Sequence, residues 1–146
     1  MGLVDTRTGL AIIDPDTCMR LLAQEEVGRL ALVIGRSPSI FPVNYALDGD
    51  AVVFRTAPGT KLDHAERGPV AFEVDGLDRE ARTGWSVVVH GRLEEVTRFD
   101  AATLARVSAL ALYPWADGAK DHWLRLVPAR VTGRRVTRTA KPSATD

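Results

Sequence analysis

A single cysteine, Cys18, is all the thiol this chain carries. One thiol cannot close an intrachain disulfide, so a disulfide-stapled secreted scaffold is excluded and a reducing, cytoplasmic setting is expected. Metal-ligand spacing is missing too: His64, His90 and His122 are scattered, with no i, i+4 pair and no cysteine or carboxylate at a suitable distance, so no metal site is expected. Nineteen basic and nineteen acidic side chains cancel, which removes the global basic field that nucleic acid or an anionic membrane would require. No uninterrupted apolar run approaches membrane-spanning length, and the N-terminus has no basic start leading into an apolar stretch. Neither nucleic acid nor membrane is therefore expected as a partner. Ser86 and His90 lack the glycine frame of a nucleophile elbow, which argues against a hydrolase. A Walker loop, a dinucleotide glycine fingerprint and internal repeats are absent as well.

What is present is apolar content of 45% over 146 residues, enough for one domain with a core. That domain is expected to run over residues 1–137, with 138–146, which carry no apolar residue larger than alanine, as a frayed tail. Leu10-Ala11-Ile12-Ile13 reads as a short edge strand. Asp14-Pro15-Asp16 reads as a helix start, with Cys18, Leu21, Leu22 and Val27 on one apolar face and an end near Glu26 to Gly28. Val27–Ile34 and Ile40–Leu47 form a hairpin about a turn over residues 35–39. Asp48-Gly49-Asp50 turns into a further strand. Val70–Asp75 alternates as a strand, residues 76–84 read as charged loop, and Trp85–Val96 is the longest strand, apolar on both faces. Asp100 opens a second amphipathic helix over Ala101–Leu112, a loop spans Tyr113–Lys120, and two strands close the chain at 122–127 and 130–136. Successive strands without crossover helices predict a mainly β fold, a small antiparallel barrel with short helices at its ends.

One stretch carries chemistry. Val52-Val53-Phe54 favours an extended, half-buried backbone that breaks at Pro58-Gly59, and Thr60 is a suitable N-cap for a helix through Lys61, Leu62 and on to Arg67. Backbone N–H groups at such a helix start, flanked by Arg55, Thr56 and Lys61, suit a phosphate. A strand ending in an ordinary exposed loop is the alternative, and local chemistry leaves both open. Lys61 tilts the balance, because a cation at a helix N-terminus is unfavourable unless an anion offsets it.

The series Val27-Gly28-Arg29-Leu30-Ala31, Pro42-Val43-Asn44-Tyr45, Val53-Phe54-Arg55-Thr56, Gly59-Thr60-Lys61-Leu62, Val70-Ala71-Phe72-Glu73-Val74 and Trp85-Ser86-Val87-Val88-Val89-His90-Gly91 resembles the pyridoxamine 5'-phosphate oxidase-like FMN-binding split-barrel proteins. The branch it is most similar to contains nitroimidazole-resistance-type proteins, and the likeness spans Asp14 to Val136. The resemblance implies a split antiparallel β-barrel that forms a homodimer with a flavin in each intersubunit groove. On the family pattern Arg55, Thr56, Thr60 and Lys61 hold the phosphate, Pro42, Val43 and Asn44 run along the ring edge, Trp85 and Ser86 approach from the partner subunit, and Leu62 and Trp123 complete the cofactor site. FMN is the implied cofactor, with a deazaflavin coenzyme and then haem as alternatives. The implied function is that of an oxidoreductase on an unknown small-molecule substrate, or of a flavin or haem carrier or sensor. No catalytic residue is assigned, and Trp123-Leu124-Arg125-Leu126-Val127-Pro128 echoes only part of the segment with which a true pyridoxamine phosphate oxidase holds its substrate.

Overall fold

The computed structural model describes residues 4–5, 8–57, 68–116, 118, 120 and 122–137. Within them the elements run β1 (Val4–Asp5), β2 (Leu10–Ile13), α1 (Pro15–Leu22), β3 (Val27–Ile34), β4 (Ser37–Asn44), β5 (Ala46–Asp48), β6 (Ala51–Thr56), β7 (Pro69–Asp78), β8 (Thr83–Val96), α2 (Ala101–Ser108) and β9 (His122–Val136). Every ladder is antiparallel, and the strands lie in the order β1-β2-β9-β8-β7-β3-β4, with β6 on β9 and β5 on β6. β9 organises the curl. One edge pairs with β8, while the other is shared between β6, opposite His122 to Leu126, and β2, opposite Gly133 to Val136. The result is the split half-barrel with two short helices that the strand succession predicts.

Alternation decides which face is inside. Leu30 and Leu32 of β3, Val70, Phe72 and Val74 of β7, and Val87 and Val89 of β8 point inward and are buried. α1 roofs them with Cys18, Leu21 and Leu22, so Cys18 serves as a small buried hydrophobe. Asp14 caps α1 by accepting from Thr17 N at 2.9 Å, and Pro15 stands at the first turn. Phe72 meets Tyr45 and Phe54 edge-on, at 5.0 and 5.3 Å between ring centroids, and lies so close over Gly28 that any Cβ there would enter the ring. The Tyr45 hydroxyl donates to the Leu22 carbonyl, tying the end of α1 to the sheet. A smaller cluster of Val53, Val96, Val107 and Leu112 seats α2 on the outside of β6.

Several boundaries differ from those the sequence suggests. α1 stops at Leu22, because Gln24, Glu25 and Glu26 offer no apolar residue to extend its stripe, and Val27 belongs to β3. The β3–β4 turn is only Gly35-Arg36, both at positive φ (53° and 70°), as a two-residue hairpin of this hand requires. Pro38 and Pro42 therefore lie inside β4, which tolerates them because it is an edge strand. Residues 76–78 and 83–84 are paired strand rather than charged loop, and α2 ends at Ser108 instead of Leu112. The last two strands are one. Ala129 is the extra residue where His90 faces Arg130 and Gly91 faces Pro128, a bulge that reads as a break in the sequence. The expected helix from Thr60 to Arg67 and the tail 138–146 lie outside the described residues.

Candidate functional site

Among the described residues β4 presents an unpaired edge. Tyr45 N donates to Glu26 O at 3.0 Å, and the prolines at 38 and 42 have no N–H to give, so the odd residues of this stretch bond toward β3. Pro42 and Asn44 accordingly turn their backbone groups to the open edge. Facing that edge is the end of β6, and between them lies a cavity of about 360 Å³ bordered by Phe41, Pro42, Val43, Asn44, Arg55 and Thr56. Pro114, Ala116 and Lys120 close its far side. Five residues expected at the cofactor, Pro42, Val43, Asn44, Arg55 and Thr56, thus share one cavity although they come from two strands.

The electrostatics of this cavity are one-sided. Arg55 and Lys120 supply two cations, and none of its described lining residues is a carboxylate. Arg55 is positioned by backbone oxygens and by a ring: its Nε donates to Lys120 O at 3.0 Å, Nη1 to Leu112 O at 3.5 Å, and its Cζ lies 4.9 Å from the centre of the Trp123 ring. Trp123 sits opposite Arg55 in the β6–β9 ladder, so it supports the guanidinium and does not itself line the cavity. Asn44 Oδ1 accepts from Trp115 N at 2.9 Å, and Thr56 Oγ1 donates to Ala57 O at 3.0 Å. Thr60, Lys61 and Leu62 lie outside the described residues.

Trp85 and Ser86 do not join this group. They border a separate cavity of about 530 Å³ at the β7–β8 turn, with Arg79, Arg82 and Arg134 beside them. Sequence reading passed over Lys120, whose loop offers no periodic signal, and the carbonyls of Leu112 and Lys120, which only the fold brings to Arg55. It also passed over a buried ion cluster. Asp48, 7% exposed at the end of β5, receives Arg106 Nε at 2.6 Å, Arg106 Nη2 at 3.0 Å and Arg125 Nε at 3.0 Å. The hydrogen bonds from Arg106, joined by those from Arg125, hold its carboxyl below the usual carboxylate range against the cost of burial. On the outer sheet face Arg29 bridges Glu73 at 3.1 Å and Asp75 at 3.2 Å; burial, then the neighbouring Asp75, push the Glu73 carboxyl up. Among the described residues no group of three His, Cys, Asp or Glu side chains could hold a metal ion, and no helix is long and apolar enough to cross a membrane.

The comparisons with known proteins agree with this fold. A family model described as pyridoxamine 5'-phosphate oxidase matches residues 14–135. An uncharacterised protein of Mycobacterium tuberculosis is 39% identical over 130 residues, 85% of this chain and 84% of that protein. The structure of the FAD-binding protein from Mycobacterium smegmatis superposes with a TM-score of 0.73 at 37% identity, covering 86% of this chain and 96% of that one. An FAD-binding protein from Mesorhizobium loti gives a TM-score of 0.70 over 88% and 97% of the two chains, and at 24% identity this is a likeness of fold alone.

Proposed function

The chain belongs to the pyridoxamine 5'-phosphate oxidase-like split-barrel family, and on that footing we propose that it is a flavin-binding oxidoreductase whose cofactor lies along β4 with its phosphate toward Arg55. The observation that carries this reading is the cavity itself: a strand edge with outward backbone groups meets an arginine and a lysine with no described carboxylate among them. The donor set fits the group. A guanidinium offers a forked donor and Lys120 a point charge, both suited to a phosphate dianion, while the Thr56 hydroxyl donates its one hydrogen to Ala57 O. Pro42 and Asn44 can hydrogen-bond a flat ring's polar edge without any acid or base being required. The flavin, when bound, supplies the electron transfer. The protein's residues bind it, orient it and keep its phosphate from water.

The homodimer belongs to the same proposal. Ile12, Val33, Ile40, Leu77 and Val136 are large apolar side chains exposed on described strands, and an apolar area of that kind is suited to a second copy. Trp85 and Ser86, remote from the Arg55 cavity within one chain, would then serve the site of the other subunit. FMN is the form expected from the sequence, and the FAD-binding relative makes the dinucleotide an equal candidate.

The test is the visible spectrum of the purified protein, with the released cofactor identified by mass. A yellow protein that loses its flavin on Arg55→Ala while remaining folded is the expected result, with affinity falling by about 2 kcal/mol, the worth of a charged hydrogen-bond pair. A colourless protein that takes up neither added FMN nor FAD overturns the proposal. A deazaflavin coenzyme that displaces either flavin at equal concentration reassigns the cofactor, and a strictly monomeric flavin-bound protein in light scattering removes the intersubunit groove.

A further inference from the structure

The large apolar side chains exposed on the strands share one face of the sheet. Pairing and alternation put Ile12, Val33, Ile40, Leu77 and Val136 together on the side opposite the buried Phe72 and Val89. Register also fixes the rows across this outer face. Arg29 faces Glu73, so Val27 stands level with Asp75, and that row continues through Asn44 on one side and through Ser86 and Arg134 on the other. Ser86 and Arg134 turn to the outer face, whereas Trp85 packs inward on Gly76 and the core. Arg134 is exposed and makes no hydrogen bond or ion pair among the described residues. The carboxylate of its row is already engaged: Asp75 accepts from Arg29 at 3.2 Å.

A second copy that covers this face across a two-fold axis parallel to the strands keeps each row opposite itself and reverses the strand order. Its Ser86 serves the Arg55 cavity in the flavin reading above, and the present inference rests on that reading. The requirement brings β8 of the second copy over β4, hence its β7 over β3, and sets the axis between β3 and β7. The contacts at such an axis suit each other. Arg29 of each copy faces Glu73 of the other, and Ala31 faces Ala71, both small enough for close approach. One strand further, β9 of the second copy projects about 4.8 Å past the open β4 edge, with Arg134 in the Asn44 row on the side that faces the cavity. We infer that Arg134 of the second copy completes the Arg55 cavity, its guanidinium donating to an oxygen of the bound flavin. That oxygen belongs either to the phosphate or to the carbonyl edge of the ring.

The experiment asks whether Arg55 and Arg134 of different chains build one site. Full-length chains carrying Arg55→Ala or Arg134→Gln are made separately, and then co-expressed with two different tags so that the mixed dimer is purified through both. Affinity for FMN and FAD is read by flavin fluorescence, with light scattering and circular dichroism reporting assembly and fold. Each variant alone should lose at least tenfold in affinity while still forming a dimer. The mixed dimer should recover one site of wild-type affinity, because Arg55 of one chain then meets Arg134 of the other. Arg134→Met, which keeps an apolar stem on the exposed face, takes the place of Arg134→Gln if that variant does not assemble. The reduction potential of flavin-saturated Arg134→Gln separates the two oxygens: an unchanged potential assigns the phosphate, and a lowered one assigns the ring edge, where a cation favours the reduced flavin. Wild-type affinity in the Arg134 variant, or a mixed dimer with no restored site, overturns the inference. Failure of the flavin reading is distinguishable, because the wild-type chain then binds neither FMN nor FAD, and the inference falls with it.

Discussion

Two arginine sites lie on neighbouring strands of this fold and are built to opposite rules. At Asp48 two arginines converge on one buried carboxylate, and Arg125 extends the pairing to Glu94 at 3.2 Å. At Arg55 a single arginine meets two backbone carbonyls and the face of Trp123, and none of the ion pairs among the described residues includes it. The first arrangement spends its charges internally, joining α2 to β5 and β9. The second leaves a positive charge facing a cavity. A guanidinium oriented by neutral groups retains its attraction for an anion, whereas one neutralised by a carboxylate does not. Strong geometry alone would have ranked Asp48 first, so what separates a structural cluster from a binding site here is where the countercharge comes from.

Asp48→Ala presses hardest on that distinction. It removes the shared acceptor of three guanidinium hydrogen bonds and leaves Arg125, only 21% exposed in its side chain, without its buried partner. Stability in denaturant should fall by about 2–3 kcal/mol. Flavin uptake by the folded fraction should remain. If the substitution instead leaves the denaturant midpoint in place and abolishes flavin uptake, the two sites have been assigned the wrong way round.

The same contrast explains what the sequence made legible. Strand identity followed from alternation, so Val70, Phe72 and Val74 could be placed inward, and both helix starts followed from Asp14 and Asp100, each of which caps its helix through a threonine N–H. Pro42, Val43, Asn44, Arg55 and Thr56 were legible through family motifs that stand in contiguous runs. The Asp48 cluster was not, because its members lie 58 and 77 positions apart and each alone reads as a surface charge. Ladder length failed for a local reason: Pro128 and the charged residues between Gly76 and Gly84 signal a loop, while a bulge and cross-strand pairing override them.

Acid should find the structural cluster before the cavity. The Asp48 carboxyl is held below its ordinary value in the folded chain, so it contributes stability at every pH above its unfolded value near 3.8 and loses that contribution as pH falls through the folded one. Denaturation midpoints should decline below about pH 4 in the wild type, and Asp48→Asn should flatten that part of the curve. The effect is bounded by the Asp48→Ala loss. An unaltered slope in Asp48→Asn would assign the acid sensitivity to other carboxylates and deprive the cluster of its stabilising role.

The smallest effect tests how Arg55 is held. Its Cζ lies 4.9 Å from the centre of the Trp123 ring, and Trp123 is also packed beside Val53 and Val107. Trp123→Leu keeps an apolar side chain in that cluster and removes the ring face. A cation–π contact at a partly exposed site contributes about 0.5–1 kcal/mol, so flavin affinity should fall roughly two- to fivefold, well short of the Arg55→Ala loss. Trp123→Phe, which keeps a weaker ring, should recover part of it. The order Phe above Leu above the arginine deletion is what a positioning role requires. Were Trp123 in direct contact with the cofactor, Trp123→Leu would cost as much as Arg55→Ala and would also shift the flavin's visible absorption, which a residue acting through the guanidinium leaves in place.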